Sequence, residues 1–137
     1  MDERPLTVHV VDDDAAVRDS LSLLLSLRGY RTACFESAES FLAAAAPDWS
    51  GCVIADIRMP GMSGLQMQGE LVRRGLRMPV IIITAHGDAA SARAAFKAQA
   101  VDFLEKPFDT DSAIAAVEAA LGRERSRLAA DETLQRR

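Results

Sequence analysis

The chain has 137 residues, and its 16 Lys and Arg residues against 20 Asp and Glu residues give a formal net charge of −4. A chain of this length forms one domain and can bury a core without disulfides or a structural metal. Hydrophobic residues make up 49% of the sequence, which excludes an intrinsically disordered protein. The acidic balance argues against nucleic-acid binding by this chain, and no apolar run approaches the length of a membrane span.

The N-terminal residues 1–5 lack the apolar core of a signal peptide, so we expect a cytoplasmic protein. Cys34 and Cys52 have neither the spacing of metal ligands nor the density of a disulfide framework. Both lie in apolar, strand-like runs, and we therefore expect both to be reduced residues of the core.

Short β-branched runs alternate five times with helical patterns, which predicts a parallel sheet built from βα units. The predicted strands, in chain order, are Thr7–Val11, Arg31–Phe35, Cys52–Ala55, Val80–Thr84 and Val101–Leu104. The predicted helices are Ala16–Leu27, Ala38–Ala45, Leu65–Arg74, Ala89–Ala98 and a last helix that begins near Asp111. Residues 122–137 either prolong the last helix as a linker or coiled-coil stub, or form a frayed, solvated tail.

Polar residues follow four of the five predicted strands. They are Asp12, Asp13 and Asp14 after the first strand, Asp56 at the end of the third, Thr84 at the end of the fourth and Lys106 after the fifth. Because the carboxyl ends of parallel strands share one edge of the sheet, we expect these side chains to converge there. Like charges about 4 Å apart repel by ~4 kcal/mol at an effective dielectric constant near 20, so clustered carboxylates require a cation. Oxygen ligands at an open edge suit Mg²⁺, and the Lys106 ammonium can pair with Asp56 or with a phosphoryl group on it.

Four segments in this order resemble the receiver domain of two-component response regulators. They are Val10-Val11-Asp12-Asp13, the stretch Asp56-Ile57-Arg58-Met59-Pro60-Gly61-Met62-Ser63-Gly64, Thr84-Ala85 and Lys106-Pro107-Phe108. The longer runs 82–88 and 102–108 resemble the FixJ branch of that family, whose members usually carry a C-terminal DNA-binding domain. The resemblance covers about residues 6–121 and implies a three-layer, doubly wound (βα)5 fold of the flavodoxin or CheY-like class with strand order 2-1-3-4-5. Residues 1–121 would then be the receiver domain, and residues 122–137 a helix extension or linker toward an output domain absent from this chain.

The resemblance also implies the role of each site residue. Asp56 would accept a phosphoryl group from the phosphohistidine of a sensor histidine kinase. Mg²⁺ would be held by Asp12, Asp13, the Asp56 carboxylate and the backbone carbonyl of Arg58. The hydroxyl of Thr84 would contact the phosphoryl group, Lys106 would neutralise it, and the Lys106-Pro107 peptide bond would be cis.

A conformational switch is implied as well. Phe103 would be an aromatic switch coupled to Thr84. The face formed by the fourth helix, fifth strand and last helix would change on phosphorylation and promote a homodimer or the docking of a partner. Gln99 stands on that face where the family commonly has glycine. No nucleic acid or membrane would be bound by the chain itself.

Simpler structural roles account for several of these polar residues. Asp14 is best explained as the N-cap of the first helix, and His9 as a packed core residue. His86, in the loop after Thr84, is more often merely polar than functional.

Two other functions stay open at this stage. One is a small Mg²⁺-dependent phosphatase with an aspartyl-phosphate intermediate, because Asp12-Asp13-Asp14 loosely matches a nucleophile and acid pair. The other is an interaction module that works without phosphorylation. The leading hypothesis is a signalling switch that modifies itself and is not a turnover enzyme.

Overall fold

The computed structural model describes residues 6–135, apart from positions 86, 89, 91, 92, 95, 96, 98 and 99. The strands are β1 (Thr7–Val11), β2 (Arg31–Phe35), β3 (Gly51–Asp56), β4 (Val80–Thr84) and β5 (Asp102–Glu105). The helices are α1 (Ala15–Leu27), α2 (Ala38–Ala44), α3 (Gly64–Arg73) and the last helix, α4 (Thr110–Gln135). The predicted helix Ala89–Ala98 falls largely outside the described residues, as do His86 and Gln99.

The five strands form one parallel sheet in the order β2-β1-β3-β4-β5, which confirms the predicted class and strand order. Each predicted strand is present, and the bounds differ by at most one residue at either end. Two apolar clusters cover the two faces of the sheet. One joins β-strand residues to α2 and α3, and the other joins them to α1 and α4. The three-layer arrangement follows because the central strands are apolar on both faces.

Side-chain caps set the starts of the first three helices. Asp14 accepts a hydrogen bond from the amide of Ala16 at the start of α1, as predicted. Ser37 and Ser63 cap α2 and α3 in the same way, each as part of a capping box. These caps fix where the chain turns from the sheet edge into each helix.

The two cysteines lie in different environments. Cys52 is fully buried in β3, and burial raises the pKa of its thiol to about 12. Cys34 is exposed, so the expectation that it belongs to the core was wrong. It lies in β2, the strand at the edge of the sheet, which has a neighbouring strand on one side only. An apolar strand pattern therefore does not guarantee burial when the strand is outermost.

His9 is buried in β1, as expected of a core histidine. Its Nδ1 lies 3.0 Å from the carbonyl oxygen of Cys52, and its ring stacks on Trp49 with centroids 4.9 Å apart. Burial lowers the pKa of His9, against the opposing effects of the Cys52 carbonyl and the Glu124 charge. His9 is therefore a neutral packing residue at neutral pH.

The last helix continues without a break through Gln135. Its Glu124 is fully buried and accepts a 2.9 Å hydrogen bond from the amide of Gly51 at the start of β3. Arg127 donates to both oxygens of that carboxylate, at 2.7 and 2.9 Å. Residues beyond 121 are thus attached to the amino-terminal end of the sheet, opposite the end where Asp56 lies.

Candidate functional site

The carboxyl ends of β1, β3 and β4 and the residue after β5 bring the predicted polar residues to one place. Oxygens of Asp12, Asp13 and Asp56 all lie within 4.8 Å of one another. Asp12 is fully buried, Asp56 is nearly so, and Asp13 is exposed. One side of the cluster therefore opens to solvent while the other is enclosed by the sheet.

Asp56 is oriented through both of its carboxylate oxygens. Oδ1 accepts a 2.9 Å hydrogen bond from the amide of Arg58, and Oδ2 accepts one of 2.9 Å from Nζ of Lys106. The first contact is local, because the chain turns directly after β3. The second spans 50 positions in the sequence and exists because β3 and β5 flank β4.

Asp12 is held differently and is electrostatically strained. Its Oδ1 accepts from the amide of Asp14 at 2.9 Å, while Oδ2 is buried and accepts no hydrogen bond from the residues that the structure describes. Nζ of Lys106 is 3.7 Å from that oxygen, an ion-pair distance too long for a hydrogen bond. Burial, together with the nearby Asp56 charge, raises the pKa of Asp12 to about 6.

Lys106 links the carboxylates. Partial burial disfavours its charge, but the hydrogen bond to Asp56 and the attraction of Asp12 outweigh this, so the pKa of Lys106 is raised. The Lys106-Pro107 peptide bond is cis, as the family resemblance implied. The Lys106 amide donates to the carbonyl oxygen of Thr84 at 2.8 Å, which ties the lysine to the end of β4.

Thr84 and Phe103 lie on one face of the sheet. Phe103 pairs in register with Ile82, which is two residues before Thr84, and side chains two apart in a strand point the same way. Thr84 is buried and Phe103 is half-buried. This shared face is the geometry that the proposed coupling between them requires.

The donor set fits a hard cation. An ordered arrangement of three carboxylates, one of them with a buried oxygen that lacks a hydrogen bond, is what an Mg²⁺ site needs. The Arg58 carbonyl lies in the turn that directly follows Asp56. The hydrogen bond from the Arg58 amide to Asp56 holds this turn next to the carboxylates. Lys106 partly neutralises the carboxylates but leaves Asp12 Oδ2 unsatisfied.

Sequence reasoning missed two residues that support this site. Arg18, in α1, donates from Nη1 to the carbonyl oxygen of Asp12 at 2.7 Å. Glu39, in α2, accepts a 3.2 Å hydrogen bond from the amide of Met62, in the loop that follows Asp56. The Arg18 contact could have been anticipated from a basic residue in the first turns of α1. Nothing in the sequence pairs Glu39 with a loop 23 positions away.

The sequence model of the response regulator receiver domain matches residues 8–118, which is most of the chain. The chain belongs to the response regulator receiver family. It is therefore a two-component signalling domain, as the motifs around Asp56 and Lys106 indicated.

Similar proteins include several transcriptional regulators. The transcriptional regulatory protein FixJ of Azorhizobium caulinodans is 52% identical over 118 residues, which cover 86% of this chain and 56% of that protein. The transcriptional regulatory protein TdiR of Thauera aromatica is 47% identical over 115 residues, covering 84% of this chain and 51% of the relative. The chain spans about half the length of the curated relatives it matches.

Solved structures agree with the fold. The crystal structure of FixJ-N matches with a TM-score of 0.81 and 44% identity, covering 87% of this chain and 95% of that one. The low-resolution structure of the response regulator StyR matches with a TM-score of 0.91 and 40% identity, covering 97% of this chain and 67% of that one. Among the residues that the structure describes, no helix combines the length and apolar character needed to cross a membrane.

Proposed function

We propose that the chain is a phosphoacceptor receiver domain that takes a phosphoryl group from a sensor histidine kinase onto Asp56. The observation that carries the proposal is the Asp56 carboxylate, which is held at 2.9 Å by both the Arg58 amide and the Lys106 ammonium beside an acidic cluster. These contacts orient a carboxylate oxygen toward an incoming phosphorus atom. Catalysis then requires little beyond positioning and charge neutralisation.

Each site residue has a separate role in the phosphoryl transfer, which its charge and position determine. An Asp56 oxygen attacks phosphorus, the bond from phosphorus to the kinase histidine breaks, and a carboxylate–phosphorus bond forms. Lys106 moves from the Asp56 carboxylate to the new phosphoryl oxygens, and the Thr84 hydroxyl donates to them. Asp12, Asp13, the Asp56 carboxylate and the Arg58 carbonyl would hold Mg²⁺, which would supply neutralisation of charge on the transferred group.

The phosphoryl group changes the charge of the site. It adds about −1.5 to −2 charges and three strong acceptor oxygens, so Thr84 is drawn toward it. Phe103, on the same face, then changes position, and the surface around β5 and the last helix changes with it. We propose that this surface forms a homodimer on phosphorylation and controls a transcription-regulating output domain, the function for which the FixJ and TdiR relatives are named.

A surface beside the site suits a docking kinase. An apolar cavity of about 650 Å³ lies between α1 and the segment after β5, lined among others by Val17, Leu21 and Leu24. Lys106 and Phe108 form its opposite wall. A helical partner seated there would reach Asp56, because Lys106 lines the cavity and also bonds Asp56.

We infer that the domain is not a turnover enzyme and that it only phosphorylates and dephosphorylates itself. The phosphatase alternative would need its nucleophile in Asp12-Asp13-Asp14, whereas the Lys106 ammonium lies 2.9 Å from the carboxylate of Asp56. Turnover of a simple phosphomonoester would support the phosphatase alternative instead. A chain that takes up no label would support the interaction module.

Labelling with acetyl phosphate tests the proposal. With Mg²⁺ present, the wild-type chain should incorporate one phosphoryl group that is stable to acid and released by hydroxylamine. Asp56→Asn should abolish this label, because the amide is not a nucleophile of comparable strength. Asp48→Asn, a matched change at an exposed residue before β3, should leave labelling unchanged. Equal labelling of the wild type and Asp56→Asn would refute the assignment.

A further inference from the structure

The last helix has two parts that are held to the protein in different ways. Between Ala113 and Leu121 its buried apolar residues belong to the cluster on one face of the sheet, and among the described residues that cluster has no member beyond Leu121. Of residues 123–134, only Glu124 and Leu128 are buried. We call residues 123–135 the arm. Because most of its surface faces solvent, the arm gains less from apolar burial than the first part of the helix does.

Polar contacts hold the arm at the amino-terminal end of the sheet. Oε2 of Glu124 accepts a 2.9 Å hydrogen bond from the amide of Gly51, and Arg77 lies 3.3 Å from the Asp131 carboxylate. Within the arm, Arg127 donates to the Glu124 carboxylate at 2.7 and 2.9 Å and pairs with Asp131 at 3.2 Å. These contacts form one network, which we call the latch, and the fully buried Glu124 carboxylate is its centre.

The latch bridges a space that side chains do not fill. A cavity of about 340 Å³ lies between α3 and the arm, with Met78 on the side of the sheet and Glu124 and Arg127 on the side of the arm. A buried ion pair adds little net stability, because the cost of desolvation offsets its attraction, and an exposed pair such as Arg77 with Asp131 adds little as well. We therefore expect the docked arm to be only slightly more stable than a released one.

Gly122 stands at the boundary between the two parts of the helix. It is exposed, and a Cβ there would meet no described atom within 4 Å, so packing does not require a glycine at this position. Its φ is not positive, so the backbone does not require one either. Glycine inside a helix lowers helix stability relative to alanine. The helix is therefore weakened at the residue where the arm begins.

We propose that the arm releases from the amino-terminal end of the sheet and redocks there as a unit, with Glu124 as the centre of its latch and Gly122 as its boundary. In the docked position the chain leaves the domain along the axis of the last helix. On release that direction is lost, and Glu124 and Leu128 become exposed. The six residues of β3, from Gly51 to Asp56, span roughly 17 Å, so the latch is separate from the phosphorylation site.

Hydrogen exchange of the full chain, followed by mass spectrometry, tests the proposal, because release exposes the amides of the arm without unfolding the sheet. In the wild type, residues 123–135 should exchange faster than residues 113–121. Glu124→Ala should speed exchange of the arm by about tenfold, because a hydrogen bond to a charged group is lost, and should leave residues 113–121 unchanged. Alanine is the better helix former, so helix propensity alone would slow the exchange instead.

Three further variants serve as matched comparisons. Glu118→Ala removes an exposed carboxylate from the same helix before Gly122, and it should leave exchange of the arm unchanged. Gly122→Ala should slow exchange of the arm by about fivefold, because it strengthens the helix at the boundary. Gly69→Ala makes the same change at an exposed glycine of α3 and should not affect the arm.

Energy transfer measures the position of the arm directly. Trp49, just before β3, is the single tryptophan of the chain, and Leu134 is 64% exposed. A Cys34→Ser, Leu134→Cys chain carries a dye on the introduced thiol, and transfer from Trp49 to this dye should fall when Glu124→Ala is added. Transfer and arm exchange that Glu124→Ala leaves unchanged would overturn the proposal. Exchange of residues 113–121 that rises in step with that of the arm would overturn it as well.

Discussion

At the scale of single residues, His9 is an ionisable group that the fold keeps neutral. Burial lowers its pKa, so the unfolded chain takes up a proton near the ordinary value of about 6.5 while the folded chain resists it. The contribution of His9 to the free energy of unfolding is therefore lost as pH falls below about 6.5. The loss reaches at most about 2 kcal/mol by pH 5.

Chemical denaturation at about pH 7 and pH 5 measures this effect. The difference between wild type and His9→Phe isolates it, because other titrating groups, including Asp12, remain in both proteins. We expect His9→Phe to lose less stability than wild type on acidification. Identical losses in the two proteins would show that His9 does not resist protonation in the fold.

The site residues could be predicted from the sequence for a topological reason. The site residues stand at or just after the end of a strand: Asp12, Asp56, Thr84 and Lys106. A parallel sheet therefore brings them together irrespective of the conformations of the loops. The contact of Glu39 with the loop at Met62 depends on the exact path of that loop. Periodicity and strand ends carry no information about such a path.

At the scale of elements, the start of β3 depends on a glycine. Gly51 has a φ of +129°, and a Cβ there would lie 1.8 Å from the carbonyl oxygen of Thr7. Gly51→Ala should therefore lower the free energy of unfolding by more than about 3 kcal/mol. Gly69→Ala, within α3, is the matched control because a Cβ there meets nothing within 4 Å.

The control should behave in the opposite sense. Gly69→Ala should raise the free energy of unfolding by about 0.5–1 kcal/mol, because alanine is the better helix former. Urea denaturation of both variants measures the pair. A mild effect of Gly51→Ala, similar in size to that of Gly69→Ala, would mean that β1 and β3 do not approach as closely as described.

The bounds of the five strands and the first three helices were predictable to within about one residue, and the predicted helix Ala89–Ala98 lies largely outside the described residues. The extent of the last helix was not predictable. The sequence of residues 122–137 is compatible with a linker helix and with a frayed tail. The difference is made by the Glu124 carboxylate, which bonds Gly51 from 73 positions away and is fully buried there. A charged residue gives no signal of burial in a sequence, because its partners come from another element.

At the scale of the whole molecule, phosphorylation should change association through Thr84. Beryllofluoride, a phosphoryl analogue, should promote self-association of the wild type through the face formed by the predicted fourth helix, β5 and the last helix. Thr84→Ala should retain labelling of Asp56 and lose most of this association, because the variant lacks the hydroxyl that donates a hydrogen bond to the phosphoryl oxygens. Moving such a switch from 1:99 to 99:1 requires roughly 5.5 kcal/mol of differential stabilisation.

Light scattering with and without the analogue measures the association. Ser20→Ala, which removes a hydroxyl from α1 next to the first cavity, is a control that should respond as the wild type does. An equal response of wild type and Thr84→Ala would show that the coupling runs through other residues.

The exposed thiol of Cys34 affects how such association must be measured. Cys52 is enclosed and its pKa is raised to about 12, so it stays protonated and unreactive, whereas Cys34 lies open on the outermost strand. Air oxidation would therefore join two chains covalently at their sheet edges, and this product would scatter light like a switched dimer. A reductant, or Cys34→Ser, separates the two species. The same asymmetry makes Cys34 a selective attachment point for a maleimide dye with which assembly can be followed.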